Sequence, residues 1–529
     1  MASEFDVVIT GGMVYNGDDG ESKRADVGLK GDKIAAVGNL SRAKASRRIN
    51  AQGMAVAPGL IDAHTHSDLS ALFAPLAENR LYAGVTTEIG GNCGFAAGPI
   101  LEEHKAQFLE HYEGLEIVWR TQGEFFTHLE KAGSAVNHAF LVGLGTIRRN
   151  AMAGDHARSA TPKEVAKMRN LIAAEVEAGA VGVSSGLIYP PGCFASKEEI
   201  AEVVSVIGGR NLPYATHMRS EGDKLMEAVE EALYIAETAN CPLHISHMKA
   251  NGKRNWWKMD LLRAWWEKRS SRRVRVTADR YPYCAGHTSL DTIMPQWTYN
   301  GGPKEEVKRL RDEATWQKIK DEILADTADE DRWSEIGIGA VFHGEHKRFE
   351  GMRLSAVASV MGLDPLDAAR SLILADDTRT MAMFFSMNEE AMREIFTWDG
   401  VVVGSDSSVR APEGPSAVGF PHPRTFGTTG KVLRLIAREE KHLATGEAIA
   451  KMTGQVADIF GLKKRGRIAE GYFADVVIFD PASVADKATY ESPSEYTIGV
   501  RDVFVNGTAV LEGRRPTGAK PGRVLRSGE

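Results

Sequence analysis

The run Ala57-Pro-Gly-Leu-Ile-Asp-Ala-His-Thr-His-Ser-Asp-Leu-Ser70 decides how this 529-residue chain is read. A short apolar segment between Pro58-Gly59 and a polar loop predicts a buried strand, with His64 and His66 where it ends. Side chains at i and i+2 of an extended chain share a side. Both imidazoles can then meet one metal ion, with Asp62 as a third ligand or as the acceptor for a ring N–H. Taken alone, His-x-His reads equally well as two half-exposed loop histidines.

From about Gly59 to Thr453 strand-like apolar runs alternate with helical patterns, the rhythm of a parallel α/β structure. Candidate strands end near Asp62, Ile89, Val142, Ser184, His217, His247, Asp279 and Ser405, and eight of them predict a (β/α)8 TIM barrel. Residues 1–56 instead carry short β-rich runs and turns, and that texture returns in Ala474–Asp480 and Val500–Gly507. This predicts a small β-sandwich domain built from both termini (1–56 and 454–529) around a barrel of residues 57–453. More than a hundred residues separate strands seven and eight, too many for a normal βα loop, so a subdomain is expected at about 285–395, with helices over Lys304–Asp329. The paired tryptophans Trp256-Trp257 and Trp265-Trp266 are read as packing, and the end from about Thr517 as loosely ordered.

In such a barrel the groups at the C-terminal strand ends meet at one mouth. Those groups are His64 and His66, Cys93 in Gly90-Gly-Asn-Cys-Gly94, His217, His247 and Asp406. They form a plausible ligand set for one or two zinc ions, with a carboxylate left to carry protons. Each has a plainer reading too: Cys93 as a small buried side chain, Asp406 as a helix cap in Ser-Asp-Ser-Ser. His244, out of phase with His247, reads as structural, and His343 and His346 as surface residues.

Composition narrows the alternatives. Hydrophobic residues make up 43% and charged residues 26%, and 64 basic against 71 acidic side chains leave a net charge of −7, which gives no electrostatic case for a nucleic-acid partner. The opening residues lack the basic start and apolar core of a signal peptide, and no stretch approaches ~20 apolar residues, so a cytoplasmic protein with no membrane partner is expected. Four scattered cysteines do not make a disulfide framework. Nothing in the composition decides whether the chain is a homo-oligomer.

The sequence resembles the amidohydrolase superfamily and, within it, the N-acyl-D-amino-acid deacylases, or D-aminoacylases. The motifs that carry the resemblance run in order over nearly the whole chain: Ala57–His66, Gly84-Val-Thr-Thr-Glu-Ile-Gly-Gly-Asn-Cys-Gly94, Gly182-Val-Ser-Ser-Gly-Leu-Ile-Tyr-Pro-Pro-Gly192 and Thr216-His-Met-Arg-Ser-Glu-Gly222. They continue with Ile245-Ser-His-Met-Lys249, Tyr281-Pro-Tyr-Cys-Ala-Gly286, Gly404-Ser-Asp406, His422-Pro-Arg-Thr-Phe-Gly427 and the return to β structure at Gly466–Phe479.

The resemblance implies zinc held tightly by Cys93, His217 and His247, with His64 and His66 as a weaker second position. It implies Asp406 as the catalytic carboxylate and Lys249, Tyr281 and Arg424 as binders of the substrate carboxylate. A small-molecule N-acyl-D-amino acid would be the substrate. Two departures bear on specificity: His287 stands where compared members carry serine, and Ser407–Pro421 is longer and rich in Pro and Gly. Competing expectations are a cyclic-amide hydrolase (hydantoinase- or dihydroorotase-like) or deaminase on the same scaffold, and a non-catalytic scaffold protein. The Lys249-Tyr281-Arg424 set argues against the first two, and the complete ligand set against the third.

Overall fold

The computed structural model describes residues 4–18, 20–102, 105, 116–152, 155–325 and 330–529. Five strands come first, β1 (Phe5–Tyr15), β2 (Ser22–Lys30), β3 (Lys33–Gly38), β4 (Ala45–Asn50) and β5 (Ala55–Pro58). Strand β1 pairs antiparallel with β2 on one edge; on the other it pairs parallel with β4 through its first half and with β5 through its second. The register shifts between Ile9 and Gly12, where Gly11 has φ 71°, a left-handed conformation that costs glycine little. One strand thereby starts two branches of sheet.

Beyond Gly59 come strands joined mostly through helices: β6 (Leu60–Asp62), β7 (Val85–Gly90), β8 (Asn137–Phe140) continued by β9 (Val142–Gly143), β10 (Val183–Gly186), β11 (Tyr214–His217), β12 (Leu243–Ile245) and β13 (Val276–Arg280). Every residue in them is buried, as befits parallel strands covered on both faces, and this is why they read as continuous apolar runs. Helices between them carry ordinary start signals; Thr161 caps Pro162–Glu177 in a capping box with Glu164.

After β13 the chain leaves this layer. Strands β14 (Gly286–Ser289), β15 (Ile336–Ile338) and β16 (Met381–Phe384) form a separate antiparallel sheet in the order β14-β16-β15. It shares a core of its own with the helices Pro303–Arg311, Glu313–Ala325, Leu354–Met361 and Pro365–Ala375, centred on Leu310, Trp316, Ile319 and Leu372. The end of the expected helical stretch, 326–329, lies outside the described residues.

Strand β17 (Val401–Val403) rejoins the parallel layer beside β13. The parallel strands form two sheets, β6-β7-β8 and β9-β10-β11-β12-β13-β17, which meet at both margins. On one side Leu141 N donates to Gly90 O at 3.0 Å; on the other Ala63 N donates to Val403 O at 3.2 Å and Asp406 N to His64 O at 2.8 Å. Gly404 is required there, since a Cβ at that position would stand 2.6 Å from the His64 Cβ.

The last strands, β18 (Val476–Phe479), β19 (Val500–Val505), β20 (Thr508–Glu512) and β21 (Arg515–Pro516), return to the first sheet, with β18 antiparallel to β5. Both termini thus build one nine-stranded sheet, and the whole is an α/β fold with mixed sheets.

Two expectations are corrected. The end beyond Thr517 is held down: His138 N donates to Arg523 O at 2.9 Å, Leu525 N to His138 O at 2.7 Å and Ser527 N to Gly179 O at 2.8 Å, because Val524 buries its side chain beside β8. The tryptophan pairs do not act alike. Trp266 is buried and stacks on Trp398, whereas Trp257 is 64% exposed.

Candidate metal centre and active site

The C-terminal ends of the parallel strands bring together the residues that close them. Cys93 Sγ lies 3.4 Å from His64 Nε2 and 3.5 Å from His247 Nε2, and the His217 and His247 rings are 4.4 Å apart, edge to face. Ligand atoms of Cys93, His217 and His247 fall within 4.8 Å of one another, and so do those of His64, His66, Cys93 and Asp406. Cys93, His247 and Asp406 have φ of 51°, 35° and 52°. Non-glycine residues rarely adopt the left-handed region, and strain of this kind persists where surrounding structure holds side chains in a working arrangement.

These groups fit a metal ion. Both ring nitrogens of His217 are buried without a hydrogen-bond partner among the described residues, although an unmade buried hydrogen bond costs about 1–3 kcal/mol. Burial and the nearby His247 keep the His217 imidazole below its usual pKa, hence neutral with a lone pair to give. Burial alone would raise the Cys93 thiol, but His64, His217 and His247 outweigh it and hold the thiol well below its ordinary range. Burial likewise opposes a proton on His64, yet Asp279 and Cys93 raise its pKa well above the usual value; negative groups that favour a proton there favour a dication equally.

A layer of carboxylates stands behind the rings. Asp279, fully buried, lies 3.1 Å from His64 Nδ1 and 3.0 Å from His244 Nε2, and its other oxygen accepts from the His247 backbone N–H at 2.9 Å. Glu221 Oε1 is 2.8 Å from His247 Nδ1. Carboxylates on the far nitrogens fix the rings and leave Nε2 of His64 and His247 turned to Cys93. Asp62 does neither of the things expected of it: its Oδ1 accepts from Ser405 N at 2.7 Å and its Oδ2 faces the buried Arg80 at 3.4 Å, so it ties β6 to β17.

Asp406 bridges two groups. Its Oδ1 stands 3.0 Å from His66 Nε2 and 3.5 Å from His64 Nε2, and its Oδ2 2.8 Å from Arg424 Nη1. Burial opposes its charge, but Arg424 and His66 hold the carboxyl well below the usual range. The Arg424 guanidinium lies 4.6 Å from the Tyr281 ring centre and Lys249 Nζ 6.0 Å from it, so the three expected anion binders are neighbours. Lys249 is paired with Glu221 and reaches His247 Nδ1 at 2.8 Å. His287 meets Arg424 through its carbonyl, at 3.4 Å, while its Nε2 is buried without a hydrogen-bond partner among the described residues. Burial, reinforced by Arg424 and Arg410, pushes its pKa down to about 3, which leaves the ring neutral.

Residues without a role in the sequence reading also belong here. Tyr189, in the Tyr-Pro-Pro-Gly loop, packs edge to face on His217 at 5.1 Å and hydrogen-bonds Thr288 at 3.0 Å. His422 Nδ1 accepts from the Arg424 backbone N–H at 2.9 Å. Tyr189 and Ser408 line a cavity of about 960 Å³ to which the segment between β13 and β17 contributes Asp291, Tyr299 and Phe342. His343 and His346 form a ring pair 5.0 Å apart in that segment.

A buried thiol held towards its thiolate by imidazoles, with a carboxylate and cations nearby, has the chemistry a metal-dependent hydrolase needs. The chain belongs to the amidohydrolase family, which it matches over residues 47–511. It is 34% identical to a D-aminoacylase and 35% identical to an N-acyl-D-glutamate deacylase, both of Alcaligenes xylosoxydans xylosoxydans, over 98% and 99% of this chain and 97% of each relative. An N-acyl-D-aspartate deacylase of that organism is 34% identical over 100% of this chain and 96% of its own. Among solved structures, a D-aminoacylase superposes with a TM-score of 0.83 at 34% identity, covering 99% of this chain and 100% of that one. The N-acyl-D-glutamate deacylase of Bordetella bronchiseptica, complexed with zinc and a phosphonate that mimics the tetrahedral intermediate, does so at 0.84 and 32%, with the same coverage. A D-hydantoinase from Thermus, at 14% identity and a TM-score of 0.55, shares the fold.

Proposed function

We propose that this protein is a zinc-dependent hydrolase that cleaves N-acyl-D-amino acids into a carboxylate and a free D-amino acid. The observation that carries the reading is the Cys93, His217 and His247 cluster with the Asp406–Arg424 pair beside it, in a chain whose full-length relatives act on N-acyl-D-amino acids.

Cys93, His217 and His247 would hold zinc tightly and His64 and His66 a weaker second ion. Zinc bound there would polarise the acyl carbonyl and bring the pKa of a water down towards about 7. Asp406 would accept the proton of the attacking water and return it to the leaving nitrogen, base and acid in turn. Lys249, Tyr281 and Arg424 would hold the α-carboxylate through charge-assisted hydrogen bonds. With that anchor fixed, only one hand of the substrate turns its amide to the nucleophile, and this is the origin of D over L selectivity. His287, neutral and beside Arg424, would line the space for the substrate side chain.

The eight successive parallel strands are read as a closed (β/α)8 barrel over residues 57–453, with an inserted subdomain at about 285–395. Residues 1–56 and 454–529 then make a β-sandwich domain. A cytoplasmic protein without nucleic-acid or membrane partners belongs to the same reading, which leaves a homo-oligomer open; among the described residues no helix is long and apolar enough to cross a membrane.

Chelation followed by zinc return, run beside Asp406→Asn, tests the mechanism. Chelation should abolish hydrolysis of an N-acetyl-D-amino acid and zinc restore it, while Asp406→Asn should keep its metal and lose about 10²–10⁴ in kcat. Near-native turnover in a metal-loaded Asp406→Asn would refute the assignment.

A further inference from the structure

Arg149 lies on the helix Leu144–Met152, which leaves β9 at the mouth of the parallel layer and is anchored by Thr146 N donating to Gly94 O at 3.1 Å. It lines the 960 Å³ cavity, as do Phe95, Ile188 and Tyr189. The neighbouring Arg148 is saturated, with Nε 2.8 Å from Glu199 and Nη1 and Nη2 each 2.6 Å from a backbone carbonyl. Arg149 differs: among the described residues it has neither a carboxylate nor a hydrogen-bond partner, and burial alone acts on its charge, pushing its pKa down. A partly buried guanidinium that meets no anion is unfavourable until one arrives.

The rest of the cavity wall supports an anion. Lys347, Arg379 and Arg410 line it as well. Three acids line it too, Asp291, Glu306 and the exposed Asp377; burial pushes Asp291 up to about 6, and burial together with Asp291 pushes Glu306 up to about 9, so at neutral pH the Asp291–Glu306 pair holds a proton and carries about one negative charge instead of two. Position matters too. Lys249, Tyr281 and Arg424 follow β12, β13 and β17, whereas Arg149 follows β9, at the opposite end of the same six-stranded sheet from β17. Tyr189 links the two places, since it lines the cavity with Arg149 and packs on His217 at 5.1 Å, so the part of a substrate beyond the cluster has this cavity to enter.

We infer that Arg149 binds a second carboxylate of the substrate, so that the favoured N-acyl-D-amino acids are dianions, carrying the extra charge on the side chain or at the far end of the acyl group. The inference rests on the deacylase reading, and the test separates the two. kcat and KM are measured for N-acetyl-D-alanine, N-acetyl-D-glutamate and N-succinyl-D-alanine with the zinc-loaded wild type, Arg149→Met and Arg149→Lys.

The wild type should favour one dianion over N-acetyl-D-alanine. Arg149→Met should lose about 10–100-fold on that dianion, mainly through KM, and stay within about twofold on N-acetyl-D-alanine, while Arg149→Lys recovers part of the loss. A loss on the glutamate compound assigns the anion to the side chain; a loss on the succinyl compound assigns it to the acyl end. If the wild type prefers neither dianion, or if Arg149→Met changes all three substrates alike, the inference falls while the deacylase reading stands on N-acetyl-D-alanine. Hydrolysis of none of the three overturns both.

Discussion

The Arg424 guanidinium stands 2.8 Å from the Asp406 carboxylate, so the arginine that would hold the substrate carboxylate also holds the group that would move the proton. Removing it should therefore damage binding and turnover together. Arg424→Ala is expected to raise KM by about 10–100-fold and to lower kcat as well, and Arg424→Lys, which keeps the charge and loses the planar fork, should restore only part. Steady-state kinetics on one N-acetyl-D-amino acid decide it; a change in KM alone would mean that the contact with Asp406 does not serve turnover.

Metal retention should track the thiolate and the carboxylates behind the rings. Cys93→Ala should lose the tightly held zinc on dialysis. Glu221→Gln, which weakens the hold on His247 Nδ1, should keep the fold and bind zinc about 10–100-fold more weakly. Metal analysis of dialysed protein checks both, and stoichiometric zinc in Cys93→Ala would return that cysteine to a packing role.

Stability should carry the signature of Glu306. Burial and Asp291 push its carboxyl up to about 9, above the ordinary value of 4.5, so the folded chain binds more protons than the unfolded one between those limits. Its contribution is fully present below the unfolded pKa and is lost as pH rises through 9. Glu306→Gln removes that dependence. Thermal melts at several pH values between 5 and 9 should show the variant gaining on the wild type as pH rises; a constant difference would contradict the assignment.

The clustering of His64, His66, Cys93, His217, His247 and Asp406 is legible in the sequence because each member follows the end of an apolar run, and a buried parallel strand announces where it ends. The carboxylates behind the rings are not. Asp279 and Glu221 read the same whether they face water or the back of an imidazole, and only the pairing of β12 with β13, with His244 opposite Thr277, sets Asp279 between His64 and His244. Asp62 has the right phase for a ligand on its own strand, yet Arg80, from a short helix in the following βα connection, turns it away. The last residues escape notice because no alternation marks them; they follow β8 through backbone bonds and bury chiefly Val524. Arg149 escapes too, since one arginine of an Arg-Arg pair shows its isolation only when the other is seen paired with Glu199.

The central claim is metal-dependent hydrolysis selective for the D configuration. The most direct test incubates zinc-loaded enzyme with a racemic panel of N-acetyl-amino acids and follows each enantiomer by chiral chromatography. The account predicts that the D compounds are consumed to acetate and free D-amino acid while the L compounds remain; consumption of both hands at similar rates, or of neither, would contradict it.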